Sequence, residues 1–430
     1  MSSQKPTYAI IGGGIAGLTL GIALNKRNIN VVIYEAAAHF GEIGAGVAFT
    51  ANAIEAMKIC DPGVYEAFQH VATHNQWESK KNVWFDFLDG MKMDQDSGHQ
   101  EDLFSISSPV GMNGVHRAAF LDEMVKLVED QHLAHFGKRL IDCEETEDGK
   151  ILMKFKDGTT ATADALIGCD GIKSVIRHKI AGSDSPAAEY VYTHKYAYRG
   201  LIDMDDAVAA IGEERAKNAV MWLGTGRHVL TFPVNKGATM NLVAFCTTEK
   251  DWPDYTKSTL PAHREEALKD FEGFGPNVMK LLEMVKPELD IWGIFNLEHE
   301  LEAYNKGKFV VVGDAGHATS PHHGSGAGFC IEDAAIMATI LADPSVTGSP
   351  GTIEAAFEAY NTERKVRTQW LVQHSRRQGN LYEYLGEVGR DFNKIEQEIT
   401  ANNFYIEGTD VHGLCSKAIE TLQQEIRKIN

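Results

Sequence analysis

The feature that most constrains this chain lies near its beginning: Thr7-Tyr8-Ala9-Ile10-Ile11-Gly12-Gly13-Gly14-Ile15-Ala16-Gly17, followed at a short interval by Val31-Val32-Ile33-Tyr34-Glu35. An apolar, β-branched run breaks at glycine, a helix-like stretch follows, and a second such run ends on an acid. Gly12 permits a tight turn, Gly14 lets backbone approach a pyrophosphate, and Gly17 lets a helix pack on a strand. Free N–H groups at the helix start, with the helix dipole behind them, suit a phosphate. Glu35 falls at the spacing where a carboxylate accepts from a ribose hydroxyl. A glycine triplet alone is weak evidence. Strand, turn, helix, strand and acid in that order predict a βαβ unit that binds a dinucleotide.

The rest of the chain narrows the class. Its 430 residues suffice for two domains around a large core. Asp+Glu 60 against Lys+Arg 41 gives a formal charge of -19, which argues against nucleic acid or an anionic membrane as partner. An anionic small substrate would then need a local cation. The cysteines, Cys60, Cys143, Cys169, Cys246, Cys330 and Cys415, include no C-x-x-C pair, as expected of reduced thiols. The apolar stretch from Ala9 to Leu24 is interrupted by glycines and lacks a basic leader, so it does not read as a signal segment. No run is long enough to span a bilayer. The expectation is a soluble, cytoplasmic protein acting as a monomer or homodimer.

Hydrophobic patterning places further elements. Gly41-Glu42-Ile43-Gly44-Ala45-Gly46 reads as a second glycine-rich turn near the cofactor, Val83 to Leu88 as a strand, and Asp89-Gly90 as a hairpin turn. Phe120, Met124, Leu127 and Val128 have helical spacing. Ile151 to Lys156 with Asp157-Gly158 reads as a second hairpin, leading into the buried run Ala165 to Gly171. Tyr196–Ile202, His228–Val234 and Asn241–Phe245 read as three strands of one sheet, and Lys308 to Asp314 as a buried strand. Ile331–Leu341 and Ile353–Arg377 read as helices, and Leu414, Ala418, Ile419, Leu422, Ile426 and Ile429 fall on one helical face. The fold class expected is α/β: a Rossmann-like nucleotide-binding domain in three parts (1–80, 111–188 and 291–375), substrate-domain strands at 81–110, an inserted β-rich substrate domain at 189–290, and C-terminal helices at 376–430.

Three motifs in order resemble a known family. They are Gly12-x-Gly14-x-x-Gly17, the run Gly168-Cys169-Asp170-Gly171-Ile172-Lys173-Ser174-Val175-Ile176-Arg177, and the run from Gly313-Asp314-Ala315-Gly316-His317 through Pro321 to Gly324-Ser325-Gly326-Ala327-Gly328. Together they resemble the single-component FAD-dependent aromatic hydroxylases of the salicylate hydroxylase group, nearest to fungal members such as orcinaldehyde monooxygenases. Val115-His116-Arg117 and Tyr198-Arg199-Gly200-Leu201 add to the match, which runs from Ala9 to about Arg377. The resemblance implies non-covalent FAD held by Gly12, Gly14, Gly17, Glu35, Ala45, Arg117, Asp170, Asp314, Gly326 and Ala327. It also places Pro321 beside the isoalloxazine, and Ser174 and Arg177 in a stretch that touches the FAD pyrophosphate and a nicotinamide nucleotide.

The activity implied is NADH- or NADPH-dependent hydroxylation of a phenolic aromatic substrate by O2 through a flavin C4a-hydroperoxide. Only one G-x-G-x-x-G is present, as the family uses NAD(P)H without a separate Rossmann domain. Decarboxylative hydroxylation of a hydroxybenzoate, a flavoprotein oxidase or dehydrogenase that inserts no oxygen, and a non-catalytic nucleotide sensor stay open. Arg199 is the candidate anchor for the substrate anion, against a structural ion pair; its fork of donors suits a carboxylate or phenolate. His228, alternating with Phe232 along one strand, is a further catalytic candidate, against a core role. Phe232 stands where some relatives carry a substrate-holding tyrosine. His317, His322 and His323 lack partners at metal-ligand spacing, so no metal is expected.

Overall fold

The structure, a computed structural model, describes residues 5–40, 46–91, 102–128 and 133–429. Its first sheet runs in the order Asn305–Lys306, Phe309–Val311, Ala165–Gly168, Thr7–Ile11, Asn30–Tyr34, Ala134–His135. Every neighbouring pair is parallel except the first. Strands of such a sheet are covered on both faces, so Ala165–Gly168 and Phe309–Val311 are apolar and buried at every position. The helix Ile15–Lys26 is buried all round from Ile15 to Leu24. It lies between this sheet and the equally buried helix Gly326–Leu341, so it needs no polar face.

The second sheet has the order Thr259–His263, Glu288–Asn296, Val191–Asp203, Thr239–Thr247, Arg227–Val234, Val220–Gly224, Val83–Asp89, Asp102–Ser107. It is antiparallel except where Val220–Gly224 meets Val83–Asp89. The three strands expected together between Tyr196 and Phe245 are neighbours here. This is the α/β class the sequence pointed to: a parallel nucleotide-binding sheet, an antiparallel β-rich domain and a helical C-terminal region. No helix among the described residues is long and apolar enough to cross a membrane.

Of the two Asp-Gly turns, one is corrected. Asp157-Gly158 does reverse the chain between Ile151–Phe155 and Thr160–Ala163, with Gly158 at φ +82. Asp89, by contrast, is still in strand. Gly90 donates to the Leu223 carbonyl at 2.7 Å and accepts from Gly275 N–H at 2.8 Å. Pairing with two distant segments overrides the local turn preference; among the described residues the antiparallel partner of Val83–Asp89 is Asp102–Ser107. The long helix Thr352–Tyr382 outruns its expected end at Arg377. Its last turn leaves the nucleotide domain and packs Leu381 and Tyr382 with Trp84, Phe87 and Phe232 of the second sheet. The final helix, Val411–Ile429, buries Val411, Cys415, Ala418 and Leu422 against the first core.

Candidate active site

A cavity of about 580 Å3 lies between the two sheets. Its nucleotide end is built from backbone. Gly12 has φ +101, and a Cβ there would lie 2.3 Å from the Cys169 carbonyl oxygen; a Cβ at Gly17 would lie 1.9 Å from the Gly12 carbonyl oxygen. Neither position tolerates a side chain. Gly12 N–H is fastened to the Tyr34 carbonyl at 2.9 Å. The helix after Gly14 has no side-chain cap, so its first N–H groups are left for a ligand at a wall that Gly12, Gly14 and Ile15 line. Glu35 is held there by Gly13 N–H and Ala37 N–H, each at 2.6 Å, with lone pairs to spare for a hydroxyl. Ala45 lies outside the described residues.

Two acids line the middle of the cavity and differ in availability. The Asp170 carboxylate accepts from the Ser174 hydroxyl and from Val175 N–H at 2.7 Å, tying down the start of helix Val175–Ala181. Burial raises its pKa. Asp314 is exposed at the cavity wall, and its carboxylate makes no hydrogen bond or ion pair among the described residues. The expectation for Arg177 is corrected. Its guanidinium is buried and donates to the carbonyls of Ala188 (2.9 Å), Ala315 (3.1 Å) and Ile172 (2.6 Å), stapling the Asp170 loop to the Asp314 turn. Ser174 caps the same helix by accepting from Arg177 N–H at 2.9 Å.

Beneath the Asp314 turn, Asp333 accepts from Gly313 N–H at 2.9 Å and pairs with His317 at 2.6 Å and with Arg364 at 2.6 Å. Glu332 next to it binds Arg364 and Arg367. Every carboxylate of this buried network is matched, so it fixes the turn without strain on the ion balance. The turn then delivers Pro321, His322, His323, Gly324, Gly326 and Ala327 to the cavity wall, with Gly324 in the left-handed region at φ +68. Arg117, at the start of helix Arg117–Val125, lines the same space.

The opposite wall is a face of the second sheet. Across the register stand Arg199, Val243, Leu230 and Met221, one on each of four adjacent strands, and all four line the cavity with Phe232 and Phe245. Among the described residues Arg199 has no carboxylate within ion-pair distance, and its buried Nε makes no hydrogen bond. Its guanidinium instead stacks 4.6 Å from the Trp292 ring. Burial, with Arg117 nearby, lowers its pKa to about 10, so it is still a cation at neutral pH. The ion-pair alternative for Arg199 is thus absent.

His228 lies outside the cavity lining. It sits beside Phe245 on the same face of the sheet, the two rings stacked with centroids 4.6 Å apart, and its Nδ1 is 3.0 Å from Glu383. The three histidines of the motif turn to different surroundings: His317 to Asp333, His322 to Phe245 and His228, His323 to Trp370. Sequence reading missed Trp292, Tyr382, Phe245 and Glu383. Only sheet register and the reach of the long helix bring them here, and neither leaves a short-range signal.

A family model described as FAD binding domain matches residues 6–375. The chain is 44% identical over 428 residues to the FAD-dependent monooxygenase pigN of Monascus ruber, covering 97% of each chain. It is 41% identical to the 6-methylsalicylate 1-monooxygenase atA of Aspergillus terreus, covering 87% of this chain and 82% of that one. A solved salicylate hydroxylase substrate complex superimposes with a TM-score of 0.85 at 31% identity, covering 97% of this chain and 98% of that one.

Proposed function

This chain belongs to the FAD-binding-domain family and is a flavin monooxygenase, and from that premise we propose that it hydroxylates a small phenolic ring, a salicylate-like acid or a phenolic aldehyde, using NADH or NADPH and O2. FAD fits the residues present. The side-chain-free turn at Gly12, Gly14 and Gly17 with the helix behind it suits the pyrophosphate, and Glu35 suits the ribose. The unengaged Asp314 suits a hydroxyl of the linking chain, and Arg117, Gly326 and Ala327 suit the ring system. Bound there, flavin supplies reduction by the nicotinamide nucleotide and activation of O2 for electrophilic oxygen transfer.

What the protein itself supplies is substrate orientation and a dry site. Electrophilic attack wants an electron-rich ring, best a phenolate. The observation that carries the reading is Arg199: a half-buried cation in an apolar wall, its Nε buried and, among the described residues, no carboxylate matching it. A charge so placed is costly unless an anion arrives to pair with it. A chain of net charge -19 draws in no anion by its overall field, so a local cation must do it, and Arg199 is the cavity-lining cation set in the face of the second sheet. The salicylates in the names of relatives are anions of the right size. Every group invoked comes from one chain.

A panel of phenolic acids and aldehydes, followed by NAD(P)H oxidation and product mass, tests this. At least one phenol should stimulate nucleotide oxidation and gain a hydroxyl. FAD-loaded protein that no phenol stimulates would overturn the reading.

A further inference from the structure

Arg199 lacks what usually fixes an arginine. Its guanidinium makes no hydrogen bond or ion pair among the described residues, and its Nε is buried without a partner. A long side chain left to itself spreads over several rotamers, and a ligand must then freeze it at the moment of binding. The contact that does hold Arg199 is a stack: the guanidinium carbon lies 4.6 Å from the centroid of the Trp292 ring.

Sheet register builds this stack. Trp292 stands directly opposite Ala197. Side chains two apart on a strand share a face, so Arg199 lies on the face of Ala197, diagonal to the indole and within reach of it. The backbone under Trp292 is held from both sides, by pairing with Ala197 on one strand and Thr259 on the other. The next N–H, that of Gly293, donates to the Ser258 carbonyl at 2.9 Å. Trp292 is half-buried and stands outside the cavity lining, to which Arg199 belongs. A ring on a well-fastened strand is thus set against a flexible cation that lines the cavity.

The two ways of fixing an arginine differ in what they leave behind. A carboxylate occupies the edge donors and cancels the charge. An indole meets the flat face, so the N–H groups along the edge keep their hydrogen-bonding capacity and the charge stays. Both are then ready for an anion, and the cost of ordering the side chain is met before the ligand arrives. We propose that Trp292 is a positioning residue for the substrate anion: it orders the Arg199 guanidinium by stacking and leaves the fork of donors free to bind. This role rests on the anion-binding part proposed above for Arg199.

The test reads binding and needs no turnover. FAD-loaded protein without NAD(P)H is titrated with 2,4-dihydroxybenzaldehyde above its phenol pKa, and in parallel with 2,4-dimethoxybenzaldehyde, which is similar in outline and cannot ionise. The change in flavin absorption gives Kd. Trp292→Leu should weaken the phenolate roughly three- to thirtyfold, as for a cation–π contact that is partly to fully desolvated, and the ether by less than about twofold. Trp292→Phe, with a smaller ring face, should recover part of the loss. In an Arg199→Ala background Trp292→Leu should cost the phenolate less than about twofold, because the group it orders is gone. Should Trp292→Leu fail to fold, the smaller loss of Trp292→Phe goes through the same cycle. No loss of phenolate affinity, an equal loss for both ligands, or a loss that persists in the Arg199→Ala background would overturn the positioning role while leaving the anchor standing. Phenolate affinity that Arg199→Ala leaves unchanged would overturn the anchor and this role with it.

Discussion

The two ends of the cavity are made by opposite means. At the nucleotide end the ligand would meet backbone: the Gly12–Gly17 turn, the helix after Gly14 and the Gly324–Ala327 turn, stiffened by carboxylates that are already paired. At the substrate wall it would meet side chains: Arg199, Phe232, Phe245 and His322, from strands and turns far apart in sequence. The first end recognises a shape common to many proteins and tolerates almost no change. The second recognises charge and outline, and can be altered one group at a time.

The comparison breaks most severely at Gly17. A Cβ there lies 1.9 Å from a backbone oxygen, which nothing flexible can relieve, so Gly17→Val should cost roughly 3 kcal/mol or more and leave no bound flavin. The flavin-to-protein absorbance ratio checks it; stoichiometric yellow protein would contradict it. Next comes acid. His228, His322 and His323 are buried, with pKa values lowered by burial, that of His323 to about 3. Their folded values lie below the unfolded one, so their stabilising effect is complete above about pH 6.5 and lost as pH falls towards the folded values. Each loses up to roughly 1.4 kcal/mol on going to pH 5.5, and Tm measured at pH 7.5 and 5.5 should drop accordingly. An unchanged Tm would mean that they titrate normally.

Arg199→Ala should keep FAD and lose about 1.5–3 kcal/mol of transition-state binding, about ten- to a hundredfold in kcat/KM for a phenol. Arg199→Lys should not restore it, since an ammonium neither forks nor stacks on Trp292 as a guanidinium does. The smallest effect sharpens the contrast. A Cβ at Gly46 would lie 2.7 Å from Phe232 Cζ, so Gly46→Ala should displace that ring at a cost of about 0.5–1.5 kcal/mol, raising KM a few-fold with FAD content unchanged.

The same contrast explains what was legible in the sequence. The nucleotide end is local: Gly12, Gly14, Gly17 and Glu35 lie within one βαβ unit, and both strand-flanked turns announce themselves by glycine. Arg199 was found only through its resemblance, and nothing in its neighbourhood pointed to Trp292, which reaches it through register between strands almost a hundred residues apart. Asp89-Gly90 misled because a turn dipeptide was outvoted by partners from Leu223 and Gly275. Arg177 misled because a motif position near a ligand need not face it: this one faces three carbonyls. His228 lay on the right face of the right strand, but on the far side of Phe245 from the cavity and turned to Glu383.

The most direct test of the central claim, that these two ends together deliver oxygen to a phenolic ring, is turnover under isotopically labelled O2 with mass analysis of the product. One labelled oxygen atom should appear in the hydroxylated ring of wild-type product, and Arg199→Ala should remain yellow while making little of it. Product whose new oxygen comes from water, or NAD(P)H consumption with no oxygenated product from any phenol, would contradict the account.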